Sequence, residues 1–168
     1  SPYLIRNYNT FNVITITKSS GYNLWRGNHF NAKVEGNQYH DNEMIEKVKN
    51  IQPSKNYDLD LDEMYMQEAI KNIKGNPSYY IKLYFKKVFS FVFIDLNSTY
   101  ENYYSYLNIL PKIIISILTL LGVLLLTKKE NILVYYSLYY FFNIFLFSLF
   151  FILPRYSLML LPIQIILI

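Results

Sequence analysis

The sequence predicts a membrane all-α fold: a multi-span helical bundle of three spans, the last cut short, carrying a mixed α/β extracytoplasmic loop. Three observations lead there. Of the 16 Lys+Arg and 12 Asp+Glu, only Lys112, Lys128, Lys129, Glu130 and Arg155 lie beyond Ser105. The apolar runs in that C-terminal part are as long as a bilayer is thick. The N-terminal part is polar and nearly neutral, so a mean hydropathy of +0.12 averages two unlike halves.

Taken in order, residues 1–76 form an outer loop module. Residues 3–17 carry β-branched side chains and end in alternation, with Val13, Thr15 and Thr17 on one face of a strand and Ile14 and Ile16 on the other. Ser19-Ser20-Gly21 turns the chain. Residues 21–36 are rich in Asn and Gly, hold the only tryptophan, Trp25, and fit no period, so they read as a loop. One helical turn is expected near 42–49, closed by Pro53. The clearest helix covers 61–74, with Asp60 as cap, Glu63 as its capping-box partner, and Leu61, Tyr65, Ala69 and Ile73 on one face. Gly75 ends it, and Asn76-Pro77 starts the next.

Residues 77–107 read as an interfacial helix and a connector. Lys82, Lys86 and Lys87 interrupt the helix over 77–94, and each would cost about 2.5–3.5 kcal/mol at a bilayer centre. Lying in the headgroup layer lets the lysines snorkel, which is preferred over spanning. Residues 108–168 supply the spans, at about 109–127, 132–153 and 156–168. Lys128 and Lys129 in the short hairpin between the first two place it in the cytoplasm. Residues 1–107 and the Pro154-Arg155-Tyr156 turn are then extracytoplasmic. The chain begins at Ser1 without Met and stops inside an apolar run, so it is expected to be a piece of a longer protein.

Several classes are set aside. The net charge of +4 arises chiefly at helix ends of the membrane half, which gives no case for nucleic-acid binding. Cysteine is absent, so there is no disulfide framework and no thiolate metal site. His29 and His40 have no ligand spacing, and Asp58, Asp60 and Asp62 suit a helix N-terminus better than a carboxylate pair. No cofactor is identifiable. Asn97-Ser98-Thr99 is a chance-level sequon, and Asn143 in mid-membrane reads as interhelical glue.

A family resemblance enters on particular residues. They are Pro2-Tyr3-Leu4-Ile5-Arg6-Asn7-Tyr8, then Gly21-Tyr22-Asn23-Leu24-Trp25-Arg26-Gly27-Asn28, then Ala32 and Gly36. Ala69, Asn76-Pro77 and Lys86 or Lys87 follow, and Arg155-Tyr156-Ser157-Leu158-Met159-Leu160-Leu161-Pro162 comes last. In that order they resemble the bacterial integral-membrane glycosyltransferases related to protein O-mannosyltransferases and aminoarabinose transferases. The resemblance runs the length of the chain. It implies transfer of a sugar from a polyprenyl-phosphate carrier to a lipid, glycan or protein acceptor at the outer face of a bacterial plasma membrane. It also implies that the catalytic acids lie in a first outer loop that these residues do not include.

With that resemblance, Arg155 is the sharpest binding candidate, its planar fork suited to a lipid-linked phosphate, with a snorkelling anchor as the alternative. Tyr156 could second it. Arg6 could face the acceptor or fix its loop. Asn28 is a further binding candidate, with bonding to its own loop backbone, as for Asn23, as the alternative. Trp25 could stack on a sugar ring or dip into the headgroup layer, in contact with membrane lipids. The rival class is a non-enzymatic transport or assembly subunit, which would need intramembrane charges facing a pathway. A polymerase or ligase of surface glycans is a second rival, sharing lipid substrates but lacking the Asn-Leu-Trp loop.

Overall fold

The computed structural model describes residues 2–12, 14, 19–36, 42–54, 56–125 and 131–168. Among them every regular element is a helix: α1 (Pro2–Phe11), α2 (Ser20–Asn28), α3 (Asn42–Asn50), α4 (Tyr57–Gly75), α5 (Pro77–Val92), α6 (Tyr106–Leu125), α7 (Asn131–Ser148), α8 (Tyr156–Met159) and α9 (Leu161–Leu167).

Two parts of the expected fold class are corrected. The mixed α/β loop is all-helical among the described residues. Where a strand was expected to begin, Pro2 opens a helix that Asn12 closes, its amide bonding Tyr8 O at 2.8 Å and its φ of 56° lying in the left-handed region. Most of the alternating stretch, Val13 and residues 15–17, lies outside the described residues. The Asn- and Gly-rich segment expected as a loop is also a helix, because its start is capped from far away. The Asp62 carboxylate accepts from the amides of Gly21 (3.0 Å) and Tyr22 (2.9 Å), two of the donors that a helix N-terminus leaves unpaired.

The three-span bundle is the second correction. Only α6 is long and apolar enough to cross a bilayer among the described residues. The expected span over 132–153 ends as a helix at Ser148, leaving a shorter apolar helix, Ile132–Ser148. The last expected span breaks into α8, of four residues, and α9, of seven. The physical reason for the early end of α7 is that residues 149–153 are recruited by the N-terminal module. Asn28 Nδ2 donates to Leu149 O at 2.8 Å, and Ile152 N donates to Val34 O at 2.8 Å. Once those backbone groups are satisfied elsewhere, nothing requires the helix to continue. The hairpin at Lys128 and Lys129 lies outside the described residues.

Helix α4 holds the apolar face read from the sequence but starts earlier, at Tyr57 after Asn56, so Asp60 sits inside it and does not cap it. Its Tyr65 and Ala69 close over Trp25 and Met44 in one core, joining α2, α3 and α4. Ala69 is fully buried, since any larger side chain would push α2 away. A second core joins α5, α7 and α9 through Phe91, Tyr140, Ile144 and Leu167. Between the two cores, Tyr80 and Leu83 of α5 pack on Ala32. Asn76 caps α5 through a bond from Tyr79 N, as Asn-Pro at a helix start suggests.

Candidate functional site

The joint between the two cores is built on glycine and asparagine of α2. A Cβ on Gly27 would stand 2.0 Å from Phe150 O, so the backbone after α7 can lie against α2 only where a side chain is missing. One residue on, the buried Asn28 amide spends its Nδ2 on Leu24 O and Leu149 O, both at 2.8 Å. Its Oδ1 accepts from Lys87 Nζ of α5 at 3.1 Å, and the same Nζ donates to Gly27 O at 2.8 Å. Lys87 is 1 % exposed, and burial pushes its ammonium pKa down to about 7. This lysine is a brace and does not snorkel. Of the pair that the resemblance left open, Lys87 is buried and Lys86 is exposed.

Beside the joint, Arg26 of α2 lays its guanidinium 4.4 Å from the Phe151 ring centroid. Phe151 fits there because Gly36, with φ +67°, has no Cβ; one would stand 2.8 Å from Phe151 Cβ. Arg26 Nε is buried with no hydrogen-bond partner among the described residues.

Arg26 faces a cavity of about 760 Å³. Arg155 and Lys112 also line it, so three cationic side chains and one carboxylate, Glu101, share its wall. The remaining wall is largely apolar, with Leu107, Ile109, Ile115 and Leu161 among its residues, and Tyr100, Tyr103 and Gln164 supply polar atoms. Lys112 reaches there from α6 and donates to Ser90 O at 3.0 Å. A cavity lined by more cations than carboxylates, with a largely apolar wall, is the complement of an anionic amphiphile.

The loop between α5 and α6 roofs this cavity and is fixed by two buried carboxylates. Glu35 accepts from Thr99 N (3.0 Å), Thr99 Oγ1 (2.9 Å) and Ser98 Oγ. The Ser-Thr of the apparent sequon is thereby engaged. Asp95 accepts from Asn97 N at 2.9 Å, and its own amide donates to Tyr103 OH at 2.8 Å. Burial raises the Asp95 carboxyl above its ordinary range, and the Glu35 charge adds to that.

The sequence candidates separate in this setting. Arg155 lines the cavity, exposed at the turn before α8. Tyr156 packs its ring between Phe147 (5.8 Å) and Phe151 (6.1 Å) and belongs to the core beneath. Asn28 bonds the backbone of its own segment at Leu24 O, as expected, and also bridges α2 to α5 and to the segment after α7. Trp25 is 1 % exposed, with Tyr65 and His29 rings about it, and no sugar or headgroup reaches it. Arg6 lies exposed on α1, a helix with no buried residue. Asn143 bonds back to Tyr139 O of its own helix at 2.8 Å rather than across helices. Sequence reasoning missed Arg26 and Lys112. The signal for Arg26 was its place between Trp25 and Gly27 in a motif already singled out. For Lys112, it was a lone charge opening an apolar run.

Comparison with protein-family models, with curated proteins and with solved structures gives no match to this chain.

Proposed function

We propose that the chain is the carrier-binding part of an integral-membrane glycosyltransferase, which moves a sugar from a polyprenyl phosphate to a lipid, glycan or protein hydroxyl. The setting is the outer face of a bacterial plasma membrane, with residues 1–107 on that face and α6 crossing it. The observation that carries the reading is the cavity that Arg26, Lys112 and Arg155 line together with a largely apolar wall. A phosphate needs charged donors, and a guanidinium offers two parallel bonds to it. A polyprenyl chain needs the apolar wall. Support also comes from the sequence motifs of the resemblance, since Gly21, Trp25, Gly27, Asn28, Ala69 and Lys87 all serve the packing of α2 against its neighbours.

No residue of this chain is assigned as the base that activates the acceptor. Residues 1–168 alone are expected to bind donor lipid without transferring sugar. A transport or assembly subunit would carry charge along a route through the bilayer, but Lys112, the only charge on α6, is tied to Ser90 O.

The test is binding of a polyprenyl monophosphate and of the matching polyprenol to the full chain in lipid nanodiscs. The phosphate is expected to bind at least tenfold tighter. Arg155→Lys keeps the charge but not the fork, and should weaken phosphate binding by roughly ten- to a hundredfold, the worth of one charge-assisted bond. Equal affinity for alcohol and phosphate, or an unchanged Arg155→Lys, would end this assignment.

A further inference from the structure

On the side of α5 turned away from the joint, the chain presents a face that none of the described residues covers. Ile81, Phe85 and Phe89 follow one another at four-residue spacing and are all exposed, Phe85 to 61 %. Lys82 and Lys86 form the adjacent row, also exposed. Leu96, 68 % exposed, extends the apolar strip past the helix end, and a groove of about 570 Å³ runs between the helix and this segment. The opposite face of α5 is settled: Tyr80, Leu83, Lys87 and Phe91 are buried against the rest of the protein.

Three features select the occupant. Helix α5 contains no acidic residue, so the face is uniformly positive where it is charged. The aromatic and aliphatic row lies directly beside the lysines, so apolar side chains and cationic heads meet one partner together. Finally, α5 leads through the connector 93–105 into α6, the helix able to cross a bilayer, so a membrane surface is within reach of this face. A water-facing helix gains nothing from three exposed large apolar residues in a row, whereas a helix lying in the headgroup layer buries them and sets its lysines on lipid phosphates.

We infer that the outward face of α5 docks on the surface of an anionic bilayer, with Ile81, Phe85, Phe89 and Leu96 in the acyl boundary and Lys82 and Lys86 on the phosphates. The surface is distinct from the cationic cavity, and it stands or falls without it. Lys87, which the sequence grouped with the other two lysines, takes no part because it is buried. The face orients the polar module on the membrane and holds the cavity mouth at headgroup level.

The chain has no cysteine, so a single Phe85→Cys substitution accepts an environment-sensitive nitrobenzoxadiazole label cleanly. Lys71→Cys, on the exposed side of α4, is the water-facing control. Both labelled proteins are reconstituted into vesicles of phosphatidylcholine alone or with one-third phosphatidylglycerol. In the anionic vesicles, the label at position 85 should gain emission severalfold, shift to the blue and be quenched by bromo-lipid, while the label at 71 stays water-like. Lys82→Glu with Lys86→Glu should remove most of that gain, since each basic side chain near an anionic surface contributes about fivefold in partition. Trp25 emission, from a buried indole far along the chain, reports whether each variant has folded, and the milder Lys82→Gln with Lys86→Gln serves if charge reversal does not. A water-like signal at 85 in anionic vesicles overturns the inference. So does an equal signal in both vesicle types that the lysine variants leave unchanged. A signal that fades on dilution of protein at constant lipid also overturns it, since that marks a second copy as the occupant.

Discussion

Replacing Lys87 with Met should make stability respond to pH in a way that isolates one buried amine. In the folded protein its pKa is pushed down to about 7 by burial alone, whereas an unfolded lysine titrates near 10.4. The sign follows from proton binding. Between these two values the unfolded chain binds a proton that the folded chain does not, so stability rises with pH across that window. It is complete above about 10.4, falls as pH drops towards 7, and is flat below. From pH 6 to pH 9 the contribution of Lys87 grows by about 2–3 kcal/mol, at 1.36 kcal/mol per pH unit. Met fills a similar volume without titrating, and leaves Gly27 O and Asn28 Oδ1 without their donor. At pH 9 the variant should therefore be clearly less stable than wild type, by about 1–3 kcal/mol for each unpaired buried group. At pH 6 the gap should narrow by the 2–3 kcal/mol just given. Thermal unfolding in detergent, followed by the emission of the single buried Trp25, reads this directly, because the indole sits one turn from Asn28. The narrowing corresponds to about 5–10 °C in the difference of midpoints. A gap that stays constant from pH 6 to 9 would refute the reasoning, since it would mean that Lys87 keeps its proton in the folded state.

Three further outcomes are expected. Gly27→Ala forces a methyl onto Phe150 O and should cost about 1–3 kcal/mol or more, whereas Gly75→Ala, with nothing within 4 Å, should be neutral or gain up to about 1 kcal/mol; denaturant midpoints compare the two. Asp62→Ala removes the acceptor shared by the Gly21 and Tyr22 amides and should cost about 0.5–2 kcal/mol, visible as loss of helical circular dichroism and an earlier red shift of Trp25 emission. In the intact protein in whole cells, a cysteine at Ser20, an exposed position, should react with a membrane-impermeant maleimide; protection there until the cells are opened would reverse the proposed orientation.

The helices with a strong local signal were legible from the sequence. The four-residue rhythm of Leu61, Tyr65, Ala69 and Ile73 places α4, Asn76-Pro77 places the start of α5, and the uncharged run after Lys112 places α6. Each rests on contacts within a few residues, which is what periodicity and capping report. Arg155 stands out in the sequence as a charge at the edge of an apolar run, and in the structure it lines the cavity.

What the tertiary structure decided depended on partners distant in the chain. Helix α2 has no periodic signal and forms because Asp62, some forty residues on, accepts from its first amides. The end of α7 differs from the expected span because composition cannot show that Asn28 takes Leu149 O and that Val34 O takes Ile152 N. Three lysines in α5 look alike as letters. Burial made Lys87 a brace and left Lys82 and Lys86 facing outward, since only one of them points at Gly27 O and Asn28 Oδ1. Arg26 joined Arg155 and Lys112 around one cavity only when the segment carrying Phe151 folded back onto Gly36. By itself, the sequence determined where apolar stretches lie and where charge is rare, because those are sums over neighbours. It could not determine which polar atoms meet, because a hydrogen bond between residues 28 and 149 is a property of the packed chain alone.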